Sequence, residues 1–134
     1  MGRILGVDFG DSRIGLALSD PLKMIASPFK TIPNKGHLEA LKIIIKDQDI
    51  ESIVVGYPIG LKGQETTQTK KVKEFSNSLN QFELPIHLED ERLSSITAQK
   101  SLIFQNIKTG HNKGMIDERA AAILLQQYLD KLNR

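Results

Sequence analysis

The sequence predicts an α/β domain on a mixed five-stranded sheet, three antiparallel strands then two parallel ones, flanked by helices. Three observations carry this reading. Three apolar runs before residue 33 are joined by short turns, which favours an antiparallel meander. Two later runs are each reached across a helical stripe, which favours parallel pairing through right-handed crossovers. After residue 93 the chain shows only helical spacing.

Each element has its own signal. Arg3–Phe9 is an apolar run entering a Gly/Asp turn, hence a buried strand. Ile14–Ser19 follows at hairpin distance across Gly10-Asp11-Ser12-Arg13. Met24–Ile32 is a third extended run, and Pro28 within it fits an edge strand or a bulge. Leu38, Leu41 and Ile45 predict a helix over 36–48. Ser52–Gly56 is β-branched and ends in Gly-Tyr-Pro, hence a buried strand meeting a loop. Val72, Phe75, Leu79 and Phe82 place a helix over 65–82. Pro85–Glu89 is the last strand, and helices follow over 94–105 and 115–132.

The 134 residues fit one domain over 1–134. The chain has no Cys, which excludes disulfides, Cys-ligated zinc and cysteine nucleophiles and suits a reducing cytoplasm. Asp8 interrupts the only place for a signal peptide and the apolar runs are short, so no export signal, transmembrane helix or membrane partner is expected. A net charge of +2 does not by itself announce nucleic acid. No apolar stripe demands a dimer, so a monomer or a weak homodimer is expected.

Four acids stand out. Asp8 ends an apolar strand, at the rim where α/β proteins place their sites; a turn-forming Asp is the alternative. Asp90 and Glu91 end the last strand and can occupy the same rim, but strand alternation prevents both from aiming the same way. A polar strand end is the alternative, the role of helix cap falling to Ser94 or Ser95. Asp117 shares a helical face with Ala120, Ala121 and Leu124, which turns it inward; pairing with the helix N-terminus is the alternative. Glu118 and Glu39 read as ordinary first-turn acids. Carboxylates gathered on one rim repel unless a cation sits among them, and a Cys-free, His-poor site favours Mg²⁺ or Mn²⁺, as a pair, with hydrolysis of phosphodiesters as the chemistry.

The basic residues bear on the partner. No acid occurs between Leu93 and Ile116, while Lys100, Lys108, His111 and Lys113 do. Pro21–Leu38 has Lys23, Lys30, Lys35 and His37 and no acid, and Lys62, Lys70, Lys71 and Lys73 flank the third loop. Solvation accounts for any one surface lysine; the absence of acids from whole loops points to a phosphate backbone. Lys113, four residues before Asp117, is placed at the scissile phosphate. The loop Gly56-Tyr57-Pro58-Ile59-Gly60-Leu61-Lys62-Gly63 offers backbone N–H groups to phosphate or is simply a tight connection, and it lacks the Gly-Lys-Ser/Thr of a Walker loop. His37, His87 and His111 have no nucleophile motif beside them and read as solvated or structural.

Four ordered stretches resemble one family. Gly6-Val7-Asp8-Phe9-Gly10 through Arg13-Ile14-Gly15-Leu16-Ala17 is similar to the opening motif of the YqgF/RuvX-type family. Val55-Gly56-Tyr57-Pro58 with Gly63, Asp90-Glu91-Arg92-Leu93-Ser94, and Asn112-Lys113-Gly114 with Asp117, Ala120 and Ala121 resemble its later motifs. The resemblance implies an RNase H-like fold and a divalent-metal nuclease acting on structured nucleic acid. That substrate is precursor ribosomal RNA, in 5′-end maturation of 16S rRNA, or branched DNA, as in Holliday junction resolution. Carried over by motif, the metal ligands are Asp8, one of Asp90 and Glu91, and Asp117, with Lys113 or Arg92 offsetting phosphate charge. Arg13, Lys62, Arg92, Lys100, Lys108 and Lys113 are the expected nucleic-acid contacts. The chain departs from the family at Ser95, where Thr is commoner, and at Glu118, where a small residue is commoner.

Two readings from other classes compete. A sugar-kinase-like phosphate loop also begins Asp-Phe-Gly, but such proteins close a cleft between two domains and 134 residues supply one. A silent nucleic-acid-binding module fits poorly, because bare carboxylates near phosphate weaken binding unless metal is present.

Overall fold

The computed structural model describes residues 2–60, 62–91 and 113–134, with side chains described from Asp117 onward in the last segment. The expected helix over 94–105, with Arg92, Lys100, Lys108 and His111, lies outside the described residues. The elements are β1 (Arg3–Phe9), β2 (Arg13–Ser19), β3 (Ala26–Pro33), α1 (His37–Asp47), β4 (Ile50–Tyr57), α2 (Thr67–Ser78), β5 (Ile86–Asp90) and α3 (Lys113–Leu132). A 3-10 turn, Leu79–Phe82, extends α2.

They form one five-stranded sheet in the order β3-β2-β1-β4-β5. β1 is central, antiparallel to β2 and parallel to β4, and β5 runs parallel to β4, which is the expected mixed sheet. Strand alternation splits β1 between two cores. Leu5 and Val7 face α1 and α2, where they pack with Leu41, Phe75 and Leu79. Ile4 faces α3 and packs with Ala121, Leu125 and Leu129. Gly6 lies on that same side, because a Cβ there would stand 2.8 Å from Leu125 Cβ. Asp8 is the next residue in this alternation, so the central strand delivers its acid to the α3 face.

Several boundaries differ from the sequence reading for local reasons. β3 starts at Ala26 rather than Met24, because Asp20 Oδ1 accepts from the backbone N–H groups of Met24 (2.7 Å) and Ile25 (2.9 Å). Those two bonds, Ile25 first, hold the Asp20 carboxyl below its usual range. β3 is the edge strand that Pro28 predicts, with an irregularity opposite Leu16 and Ala17. α2 starts at Thr67 because Thr66 caps it, exchanging bonds with Thr69 in a reciprocal capping box. Its stripe breaks into the 3-10 turn after Ser78, and Glu83 ends that turn in the left-handed region at φ 57°. β4 extends back to Ile50, which is buried and pairs beside Arg3. No helix among the described residues is long and apolar enough to cross a membrane.

Candidate active site

The acids are best located by register. Asp8 on β1 lies directly opposite Gly15 on β2, so both face α3. α3 sits hard against that glycine, since a Cβ on Gly15 would overlap the backbone carbonyl of Asp117 and stand 2.8 Å from Asp117 Cβ. Only a residue without a side chain lets the helix approach so closely. Asp117 is therefore brought over the β1–β2 ladder beside Asp8. It is held there by Ala120, Ala121 and Leu124, all buried at 0–1% exposure on the same helical face.

β5 delivers the third acid. Gly56 pairs beside Glu89, and Tyr57 beside Asp90. Tyr57 packs against the core under α1 and α2, so Asp90 lies on that side of the sheet, away from Asp8. Glu91, one residue past the strand, returns to the α3 side. Its Oε1 stands 2.5 Å from where a Cβ on Gly56 would be, and Leu124 Cδ2 is 3.1 Å from the same point. Val7 pairs beside Val55, so Gly56 follows next to Asp8. Glycines 15 and 56 thus let Asp117 and Glu91 pack close to the sheet on either side of Asp8. Glu91 lies on the face of Gly56, Asp8 and Asp117, whereas Asp90 pairs beside Tyr57 on the other.

Arg13 enters this cluster from the start of β2. Its Nε donates to Asp117 Oδ2 at 2.8 Å, with the two side chains 44% and 23% exposed. Among the described residues no three acidic, His or Cys side chains close into an ion-binding cage. The chemistry of the site suits a hard divalent ion nonetheless: the donors are all carboxylate oxygens, and the missing Cβ of Gly56 is what lets the Glu91 carboxylate come so close to the sheet. Thr31, which pairs beside Gly15, donates from Oγ1 to Glu118 Oε2 at 3.4 Å, so Glu118 ties α3 to β3.

The remaining expectations fall as follows. Lys113 opens α3, one helical turn before Asp117. Lys62 is exposed, and its backbone N–H donates to Gln64 Oε1 at 3.0 Å. Gly60 N–H reaches Gln64 O at 2.9 Å and Gly63 N–H reaches Gly60 O at 2.8 Å, with Gly63 at φ 82°. These three amides are spent inside the loop, as in a tight connection. His37 is structural: Nδ1 is 2.7 Å from Asn34 O and the ring packs on Phe75 at 5.2 Å. His87 stacks on Tyr128 at 5.3 Å.

Sequence reasoning passed over Glu89 and the Arg13–Asp117 bond. Glu89 is 4% exposed and accepts from Lys131 Nζ at 2.7 Å and from Gln127 Nε2. Burial, and then the charge of Glu89, pushes the Tyr128 hydroxyl above its usual pKa. The signal for Glu89 was available, because period-two alternation puts residues 87, 89 and 91 on one face. The Arg13 bond spans 104 residues and no local pattern announces it.

A mixed sheet of order 3-2-1-4-5 with its last helix packed over the central strands defines an RNase H-like fold. The chain resembles the RuvC of Thermus thermophilus bound to a Holliday junction, with a TM-score of 0.58 and 13% identity over 98% of this chain and 96% of that one. The fowlpox virus Holliday junction resolvase gives a TM-score of 0.57 and 13% identity over 97% and 99%. The chain belongs to the RuvX family, whose model is described as a Holliday junction resolvase and matches residues 2–131. Among curated relatives, a protein of Desulfitobacterium hafniense is 39% identical over 98% of this chain and 94% of its own length. One of Clostridium kluyveri is 38% identical over 98% and 99%. Both are named as candidate pre-16S rRNA nucleases.

Proposed function

We propose that this chain is a divalent-metal-dependent endonuclease that hydrolyses phosphodiester bonds in 5′-end processing of pre-16S rRNA, with residues 1–134 forming one nuclease domain. The observation that carries the reading is the placement of Asp8, Glu91 and Asp117 on one face over Gly15 and Gly56. The names of the curated relatives supply the substrate. A cytoplasmic setting fits that substrate.

Asp8, Glu91 and Asp117 are the ligands of this proposal. When bound, a pair of Mg²⁺ or Mn²⁺ ions activates water and stabilises the leaving oxygen of a phosphodiester. The chain's own residues do the rest. Gly15 and Gly56 let the two acids seat close to the sheet. Arg13 presents a guanidinium at the edge of the acid cluster, where it offsets phosphate charge, and Lys113 acts similarly from the first turn of α3. The product keeps a 3′-hydroxyl.

The test is cleavage of a precursor transcript with Mn²⁺ or Mg²⁺. Asp8→Asn and Asp117→Asn each lose about a hundredfold or more in rate, at least the scale seen when even the outer support of a metal ligand is removed. Equal cleavage by wild type and both variants would sink the mechanism. A second reading, resolution of four-way DNA, is favoured by the fold shared with two junction resolvases. It uses the same acids but needs two active sites related by two-fold symmetry. Preference for a four-way junction over the transcript, with a dimer on that junction, would establish it instead.

A further inference from the structure

We infer that Arg13 and a divalent cation compete for Asp117, so that the cation site opens when a phosphate backbone draws Arg13 away. The inference rests on the nuclease reading and adds to it an order of events: substrate phosphate and metal each favour the other's binding through one side chain.

The geometry sets up the competition. Arg13 Nε occupies Asp117 Oδ2 at 2.8 Å. A guanidinium is always cationic, so it already compensates the charge that a metal would compensate. One carboxylate oxygen cannot hold both a close N–H donor and a metal ion along the same lone-pair direction. The Asp117 backbone is meanwhile seated against Gly15, which keeps its short side chain beside the β1–β2 ladder. Arg13 is free to move in a way that Asp117 is not: it is 44% exposed, at the first residue of β2, beside the turn that leads out of β1. A half-exposed ion pair is weak enough to exchange. The group best suited to take the guanidinium is phosphate, which matches its fork of donors.

Linkage makes the consequence reciprocal: whatever factor RNA adds to metal affinity, metal adds to RNA affinity. General attraction between bound cations and RNA also couples the two, but it survives loss of Arg13. The competition does not.

The experiment is calorimetric titration of Mn²⁺ into wild type and Arg13→Gln, alone and with a phosphorothioate RNA duplex that resists cleavage. Without RNA, Arg13→Gln binds Mn²⁺ about three- to tenfold more tightly than wild type, the scale of a half-exposed charge-assisted pair. The difference persists at high salt, which screens long-range charge but not a direct bond. RNA then tightens Mn²⁺ binding more in wild type than in the variant. Arg13→Lys, which keeps the charge and loses the fork, gives a smaller shift in the same direction and serves if the Gln variant does not fold. Equal Mn²⁺ affinities in folded wild type and variant overturn the competition while leaving the nuclease reading intact. A wild type that binds neither Mn²⁺ nor RNA overturns both.

Discussion

Glu89 and Lys131 meet at 2.7 Å across 42 residues of sequence, joining the edge strand β5 to the last turns of α3. The carboxylate is almost fully enclosed while the ammonium is half in solvent, with side chains 5% and 48% exposed. Gln127 donates to the same oxygen. A buried charge is costly unless it is paired and hydrogen-bonded, so this cluster decides whether β5 and α3 stay in register. Both elements carry an acid of the site, Glu91 and Asp117.

Lys131→Met therefore destabilises the fold by about 1–3 kcal/mol, because it strands a buried carboxylate with fewer donors. Glu89→Gln in the Lys131→Met background recovers part of that loss, because the charge is gone from both sides. Urea midpoints of the two single variants and the double variant measure the coupling; strict additivity would rule this account out.

Two glycines under α3 test how the helix is seated. Gly6→Ala sets a Cβ 2.8 Å from Leu125 Cβ, and Gly15→Ala drives one into the Asp117 carbonyl. Each costs about 1–3 kcal/mol as overpacking at a helix–sheet contact. Their effects on the site differ. Gly15→Ala displaces Asp117 and lowers Mn²⁺ affinity at least tenfold by calorimetry, whereas Gly6→Ala, which meets Leu125 about two turns of α3 beyond Asp117, leaves it within about twofold.

The two neighbouring acids of β5 are separated by their faces. Glu91→Gln loses about a hundredfold or more in cleavage rate. Asp90→Asn, on the Tyr57 side of the sheet, stays within a few-fold. The reverse ranking in a cleavage assay on the precursor transcript would transfer the ligand role to Asp90.

Stability at high pH reports on Tyr128. Its folded pKa lies above the ordinary tyrosine value of 10.0, because burial and then Glu89 disfavour the phenolate. The neutral hydroxyl's contribution is fully present below the unfolded pKa and is lost as pH rises through the folded one. Urea midpoints therefore fall more steeply above about pH 10 in wild type than in Tyr128→Phe. Parallel curves for the two proteins would show that the tyrosine plays no part.

Period and turn chemistry made most of the fold legible. The meander, the two crossovers and the edge character of β3 follow from apolar runs, short turns and Pro28, because these are local properties that the sheet has only to accept. Boundaries moved where a side chain competed for the backbone, as Asp20 does at β3 and Thr66 at α2. The end of α2 moved because helical spacing does not distinguish an α-helix from the 3-10 turn that continues its stripe.

The candidate site was legible as residue types and only partly as geometry. Asp8 at a strand end and Asp117 on the inward face of a helix follow from alternation and 3.6-residue spacing, and four spaced motifs named the family. That Asp90 and Glu91 must face opposite ways is also a local fact. Which of them faces Asp8 is not, because it depends on β4–β5 register, set by pairing across a crossover and by the burial of Glu89 under α3. The packing of Asp117 and Glu91 against Gly15 and Gly56 and the bond from Arg13 to Asp117 belong to the tertiary structure alone: each joins segments far apart in the chain, and close approach becomes visible only once the helix is packed on the sheet.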